Sequence, residues 1–132
     1  RDVLGSRGLG DVYKRQDIRQ QPRFEVLAAM LDVARNGVPT VAMIKQIIRR
    51  LASMGYNELW LYLEDLFEIP EAPYFGRGRG RYQQTELHEI ALYGDRFGVT
   101  IVPAVQTLAH LHNALKWDSH AAVKDTDDTL LV

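Results

Sequence analysis

Charged and titratable side chains in this sequence gather at three places where an apolar run ends. Asp32, Arg35 and Asn36 close the run FEVLAAMLDV over 24–33, and Glu64 and Asp65 close LWLYL over 59–63. Gln106, Thr107, His110 and His112 follow VTIVPAV over 99–105. In parallel α/β folds the functional groups collect just past the C-terminal ends of the strands, so these positions form a short set of candidates. Charges at the ends of buried strands are costly unless paired or used, which makes them candidates. Each also has a plain structural reading. Asp32 can bond nearby backbone, Arg35 can lie on a surface loop, Asp65 can cap a loop, and His110 can be a packed histidine. His88, His112 and His120 read as solvated or packed.

Two further constellations carry weaker signals. His110 and His112 with Glu64 and Asp65 could ligate a metal, as in metal-dependent barrel hydrolases, but an i, i+2 pair suits that role only on a strand. The surrounding TLAHLHNALKW reads as helix or loop. The run GRGRGR over 76–81 could grip phosphate or RNA. With one aromatic on each side, Phe75 and Tyr82, it reads better as a basic loop beside a binding mouth.

The elements that must position these residues follow from hydrophobic period. The run over 24–33 has strand length and is apolar on both faces, as parallel strands are. Asn36-Gly37 breaks it, and Pro39-Thr40 opens a helix. Val41, Ile44, Ile47, Ile48, Leu51 and Met54 make one helical stripe, and Gly55 supplies the stop. A strand over 59–63 leads into a loop over 67–82. A second helix carries Leu87, Ile90, Ala91, Gly94 and Phe97 on one stripe, with Gly98 as its stop. A third strand spans 99–105, a third helix is expected over 106–117, and a fourth strand is expected to start at Leu130. The order β-α-β-α-β-α defines an α/β fold with a parallel sheet, which opens both doubly wound sheets and barrels. Functional groups in either collect beyond the C-terminal strand ends, where the three clusters lie.

Composition sets the outer bounds. The chain has 132 residues, a formal net charge of -1 and 46% hydrophobic residues, ordinary for a domain with a core. Near-neutral charge argues against a general nucleic-acid binder. With no cysteine, disulfides and thiolate zinc sites are excluded. No apolar run approaches the ~18 residues of a membrane span. No basic segment followed by an apolar one opens the chain, and the expected location is cytoplasmic. The chain begins at Arg1, and residues 1–16 differ from the rest; GSRGLGDVYKRQ over 5–16 resembles a translated adapter tail. It is read as disordered and without function. Residues 17–132 form one unit.

Several stretches within that unit resemble family 20 glycoside hydrolases, the β-N-acetylhexosaminidases. MLDVARNGVPT over 30–40 resembles the first-strand motif of that family, and MGYNELWLYLED over 54–65 the second. YFGRGRGRY, VPAVQTLAHL and DTDDTLLV resemble segments of a bacterial subgroup. The matches run in order from about Phe24 to Val132.

The resemblance implies a partial (β/α)8 TIM barrel, comprising the first three β/α units and the start of a fourth strand. It implies an exo-acting enzyme that removes terminal β-linked N-acetylglucosamine or N-acetylgalactosamine from a glycan or glycoconjugate; no cofactor or metal is expected, and no nucleic-acid or membrane partner. By the same resemblance Arg35 holds hydroxyls of the non-reducing sugar, while Asp65 and His110 form a relay that supports the general acid. Asp32 differs from Arg35 in parity along the strand and is expected to be structural. The mechanism implied is substrate-assisted and retaining: the acetamido oxygen of the substrate attacks the anomeric carbon. The Asp-Glu pair that orients this group and protonates the leaving oxygen follows the fourth strand, and is expected beyond Val132. A whole barrel takes about 250 residues, so these residues alone are expected to be unstable and inactive. A metal-dependent barrel hydrolase and a carbohydrate-binding barrel without catalysis are the alternatives.

Overall fold

The computed structural model describes residues 19, 21–35 and 37–132. The adapter-like tail and Asn36 lie outside these described residues. Three short strands form one parallel sheet: β1 (Ala28–Asp32), β2 (Glu58–Tyr62) and β3 (Thr100–Ala104), in the order β1-β2-β3. Helix α1 (Val41–Ser53) joins the first two strands, and α2 (Gln84–Asp95) joins the last two. The register aligns Ala29 with Leu59 and Ile101, and Asp32 with Tyr62 and Ala104.

Both helices form where the apolar spacing places them, and both are capped by their own sequence. The Thr40 hydroxyl accepts from the Met43 backbone N–H at 3.3 Å, satisfying one of the free donors at the α1 N-terminus. At the other end Gly55 adopts φ +85° and the Tyr56 N–H reaches the Leu51 carbonyl at 3.0 Å, a Schellman closure. Helix α2 opens with Glu86 accepting from the Gln83 N–H at 2.8 Å. It closes the same way as α1, with Gly98 at φ +66° and the Val99 N–H on the Gly94 carbonyl at 3.0 Å.

The core lies between these helices and one face of the sheet. Ile44, Ile48 and Leu51 of α1, Ile90 of α2, and Leu59, Leu61 and Leu63 of the central strand are buried together with Val33 and Val99. Complete burial of each such side chain contributes roughly 1.5–3 kcal/mol, so this cluster is what fixes the helices to the sheet. Gly94 permits the closest helix–sheet approach. A Cβ there would lie nearer than 3.0 Å to the Val99 carbonyl and would touch the Ile101 side chain. Outside the core, Lys45 pairs with Glu89 at 2.5 Å and Arg49 donates to the Tyr93 hydroxyl at 2.6 Å, joining α1 to α2.

The structure corrects four sequence expectations. The first strand is shorter than 24–33, and it is not buried on both faces. Phe24, Val26, Leu27 and Met30 are exposed, because both helices pack on the face that carries Ala29 and Leu31. Met54 and Phe97 fall off the buried stripes, since each lies just past its helix end and is exposed. The third helix is not a helix over 106–117: only α3 (His112–Leu115) forms, followed by a 3₁₀ turn (Asp118–Val123). Its N-terminal half is drawn away by the segment behind it. The Leu111 N–H donates to the Asp128 carbonyl at 3.2 Å, and the Leu130 N–H to the Leu108 carbonyl at 2.9 Å. For the same reason Leu130 does not start a fourth parallel strand; it makes an isolated antiparallel bridge with Lys124. No helix among the described residues is long and apolar enough to cross a membrane.

Candidate active site

The C-terminal ends of the three strands bring the first two sequence clusters together with part of the third. After β1 the chain turns at Asp32. Its Oδ1 accepts from the Ala34 N–H at 2.9 Å and from the Arg35 N–H at 3.2 Å. This is local carboxylate-to-backbone bonding of the kind that stabilises turns, so Asp32 has the structural role expected of it. The turn sends Arg35 out of the strand and across the sheet toward β2.

There Arg35 meets three groups. Its guanidinium carbon lies 5.2 Å from the Tyr62 ring centroid, and Nη2 donates to the Tyr62 hydroxyl at 3.4 Å. Nη2 also lies 3.5 Å from Oε1 of Glu64, and Nη1 lies 3.6 Å from Oδ2 of Asp32. The side chain stays 59% exposed, so its fork is held by neighbours yet still open to solvent. On the far side, Gln106 after β3 donates to the Tyr62 hydroxyl at 2.6 Å. Arg35, Tyr62 and Gln106 thus line the mouth across all three strands.

A sharp turn at Glu64 separates the two carboxylates. Leu63 to Leu66 is closed by a 2.8 Å backbone hydrogen bond, and Glu64 takes φ +49°. Glu64 and His110 are the two non-glycine residues with left-handed backbones among the described residues. Such strain persists only where the surroundings enforce it, and it clusters at functional sites. Here both cases lie on loops that follow strand C-termini. Glu64 faces Arg35, whereas Asp65 is 1% exposed and receives a guanidinium from elsewhere.

That guanidinium belongs to Arg79, in the middle of GRGRGR. Its Nη1 donates to Oδ1 of Asp65 and its Nη2 to the carbonyl of Ala34. Asp65 Oδ2 is buried with no hydrogen-bond partner among the described residues. The other two arginines of the run also turn onto the protein: Arg77 stacks over Tyr74 at 5.0 Å, and Arg81 donates to the carbonyls of Pro73 and Phe75. The phosphate-gripping reading of the run therefore gives way to one in which its arginines fasten the loop. Next to this loop Tyr82 is buried and donates to the Pro39 carbonyl at 2.5 Å; burial, with the Glu86 charge second, pushes its hydroxyl up to about 12.

The histidines are more scattered. His110 is exposed on the loop after β3, and among the described residues no hydrogen bond joins it to Asp65. The His112 backbone N–H donates to Asp128 at 2.9 Å, and His120 packs its ring nitrogen against the Ala114 carbonyl at 2.7 Å. No three His, Asp or Glu side chains among the described residues stand close enough to hold a metal ion. Thr107 is exposed, and His88 is exposed on α2. Beside Gln106 opens an apolar cavity of ≈ 300 Å³, walled by Phe67, Phe75, Val105, Leu111 and Leu115.

Sequence reasoning missed Tyr62 and Arg79 as members of this site. In the sequence Tyr62 reads as part of an apolar strand; its pairing level with Asp32 makes it a mouth residue. Arg79 reads there only as part of a charge run. The alternation of glycine and arginine was the available signal, since left-handed glycines at 76, 78 and 80 let the loop fold back on itself.

A parallel sheet with helices in the crossovers and polar groups at the strand C-termini is the arrangement on which parallel β/α folds, barrels among them, build their sites. The N-acetyl-β-hexosaminidase of Streptomyces plicatus, solved in complex with Thio-NAglucal, superposes with a TM-score of 0.69. The two are 28% identical, over 83% of this chain and 24% of that one. A GH20 exo β-N-acetylglucosaminidase from Vibrio harveyi shares the fold at a TM-score of 0.74 and 22% identity, over 84% of this chain and 23% of that one. In sequence, the β-hexosaminidase subunit beta of Entamoeba histolytica is 31% identical over 102 residues, 70% of this chain and 18% of that protein. The model of the glycosyl hydrolase family 20 catalytic domain matches residues 24–131, and the chain belongs to that family. It spans about a fifth of the length of the curated relatives it matches.

Proposed function

We propose that this chain is the first part of the catalytic barrel of an exo-β-N-acetylhexosaminidase acting on glycans that end in β-linked N-acetylglucosamine or N-acetylgalactosamine. The observation that carries the reading is Arg35: an open guanidinium at the mouth of β1, backed by Tyr62 and Glu64. A planar fork held in this way suits two neighbouring hydroxyls of a sugar ring, and its exposure leaves it free to bind them.

Asp65 and His110 act behind the reacting bond. The buried Oδ2 of Asp65 is an acceptor in want of a donor, and an imidazole N–H on the adjacent loop would satisfy it. His110 so oriented would present its second nitrogen to the general acid and keep that acid's proton in place. Neither residue touches substrate, so both are positioning groups. The acid itself and the carboxylate that orients the acetamido group lie outside these residues. In the reaction the acetamido oxygen attacks the anomeric carbon as the acid protonates the leaving oxygen, and water then opens the cyclic intermediate with retention.

Hydrolysis by the full-length protein of 4-nitrophenyl N-acetyl-β-glucosaminide, compared with the 2-hydroxy glucoside, tests this reading. The N-acetyl substrate is expected to react at least about a thousandfold faster, because only it brings its own nucleophile. Equal rates would replace the substrate-assisted mechanism with a two-carboxylate one. Binding of N-acetylglucosamine without turnover would favour a non-catalytic barrel.

A further inference from the structure

We propose that Arg79 is a positioning residue that clamps the sugar-binding mouth of β1 to the relay carboxylate at the end of β2; the inference rests on the function proposed above. One guanidinium serves both ends. Nη2 takes the carbonyl of Ala34, the residue before Arg35, and Nη1 takes Oδ1 of Asp65. The proposed sugar-holding arginine and the proposed relay aspartate are thereby set against each other through a third side chain.

The loop is built to deliver this contact. Gly76, at φ +65°, packs so tightly on the Asp65 backbone that a Cβ would come within 3.0 Å of its carbonyl oxygen. The chain then turns at Gly78 and Gly80, both left-handed, and Arg79 between them returns to the Asp65 carboxylate. Arg77 and Arg81 bond within 68–81, closing the loop on itself, whereas both partners of Arg79 lie outside it. The Arg79 side chain is itself 19% exposed, largely withdrawn from water, and gives the buried Asp65 carboxylate the charged partner its burial requires.

The clamp has a chemical consequence for the relay. With Oδ1 engaged by Arg79, Oδ2 is the oxygen of Asp65 that has no hydrogen-bond partner among the described residues, and the carboxylate cannot rotate to exchange the two without losing the ion pair. An incoming imidazole therefore meets an unpartnered acceptor in a fixed position. Lysine could keep the charge but not the two-point geometry, because an ammonium lacks the planar fork that reaches a carboxylate and a carbonyl at once.

The test is N-acetylhexosaminidase kinetics of the full-length protein with Arg79→Ala, Arg79→Lys and Arg77→Ala, together with rescue by millimolar methylguanidinium. Arg79→Ala and Arg79→Lys are each expected to lose about 10–100-fold in kcat/KM, the usual scale for a residue that orients a site group. The loss should divide between KM, through Arg35, and kcat, through Asp65. Arg77→Ala removes only a stacking contact over Tyr74 within the loop and should lose much less than either Arg79 variant, and methylguanidinium should restore part of the Arg79→Ala activity without affecting the wild type. If Arg79→Ala does not fold, Arg79→Lys decides. Wild-type kinetics for Arg79→Lys, equal losses in the Arg77 and Arg79 variants, or failure of methylguanidinium to rescue a folded Arg79→Ala would each overturn the clamp. An inactive wild type would overturn the hexosaminidase reading and this inference with it, whereas an active wild type with unaffected Arg79 variants would overturn this inference alone.

Discussion

Tyr62 holds Arg35 in place from β2, with its ring 5.2 Å from the guanidinium carbon and its hydroxyl 3.4 Å from Nη2. The same hydroxyl accepts from Gln106 at 2.6 Å, so a single strand residue ties the loop after β1 to the loop after β3. Ring and hydroxyl can be separated by substitution. Tyr62→Phe keeps the cation–π contact and removes the acceptor shared by Arg35 and Gln106. A loss of about 1 kcal/mol, roughly fivefold in KM for an N-acetylhexosaminide, is expected, with kcat little changed. Steady-state kinetics of the full-length variant measure both.

Gly76 and Gly78 distinguish a close approach from a backbone preference. Both have left-handed backbones, but a Cβ at Gly76 would strike the Asp65 carbonyl, and one at Gly78 would meet nothing within 4 Å. Gly78→Ala should cost about 1–2 kcal/mol, the left-handed penalty alone. Gly76→Ala should cost about 1–3 kcal/mol more, from overpacking. It should also lower activity by displacing Asp65. Thermal denaturation of the two variants, run side by side, gives the difference.

Tyr82 makes stability depend on alkaline pH. Its hydroxyl is neutral when it donates to Pro39, and its folded value of about 12 lies above the ordinary 10.0. Because the folded value is raised, the stabilisation is complete below pH 10 and is lost as pH climbs toward about 12. Absorbance titration should show one tyrosine ionising near the top of that window. Tyr82→Phe should be less stable at neutral pH by about 1 kcal/mol, the value of a buried hydrogen bond. It should also show a shallower fall across the window.

The 132 residues expressed alone are expected to aggregate. Met30 is 59% exposed and Trp60 37% exposed on the sheet face opposite the helices, and among the described residues β1 and β3 each pair on one side only. Open parallel edges and an uncovered apolar face are templates for association. Scattering and calorimetry of the isolated chain check this, and a cooperative transition from a monomer would contradict it.

Local rules written in the chain explain what was legible. The stripes through Ile44, Ile48 and Leu51 and through Ile90 and Gly94, and the glycine stops at 55 and 98, are decided within one helix each, so period and cap chemistry suffice. Arg35, Glu64 and Asp65 could be named because strand ends are where parallel folds place their functional groups. The segment after Gln106 departs from its helical reading because its partners are distant in sequence: Leu108 and Leu111 bond to 128–130. No periodicity in TLAHLHNALKW reports that competition. Arg79 escaped for a related reason, since its two acceptors lie 14 and 45 residues away and only the folded loop brings them to it. The exposed face of β1 was missed because a continuous apolar run does not say which of its faces a helix will cover.

A crystal structure of the full-length protein with bound N-acetylglucosamine addresses the central claim most directly. The sugar is expected at the C-terminal mouth of β1 to β3, with two of its hydroxyls within hydrogen-bond distance of the Arg35 guanidinium and Arg79 still on Asp65. A sugar bound elsewhere, with Arg35 turned to solvent and Asp65 Oδ2 without a donor, would contradict it.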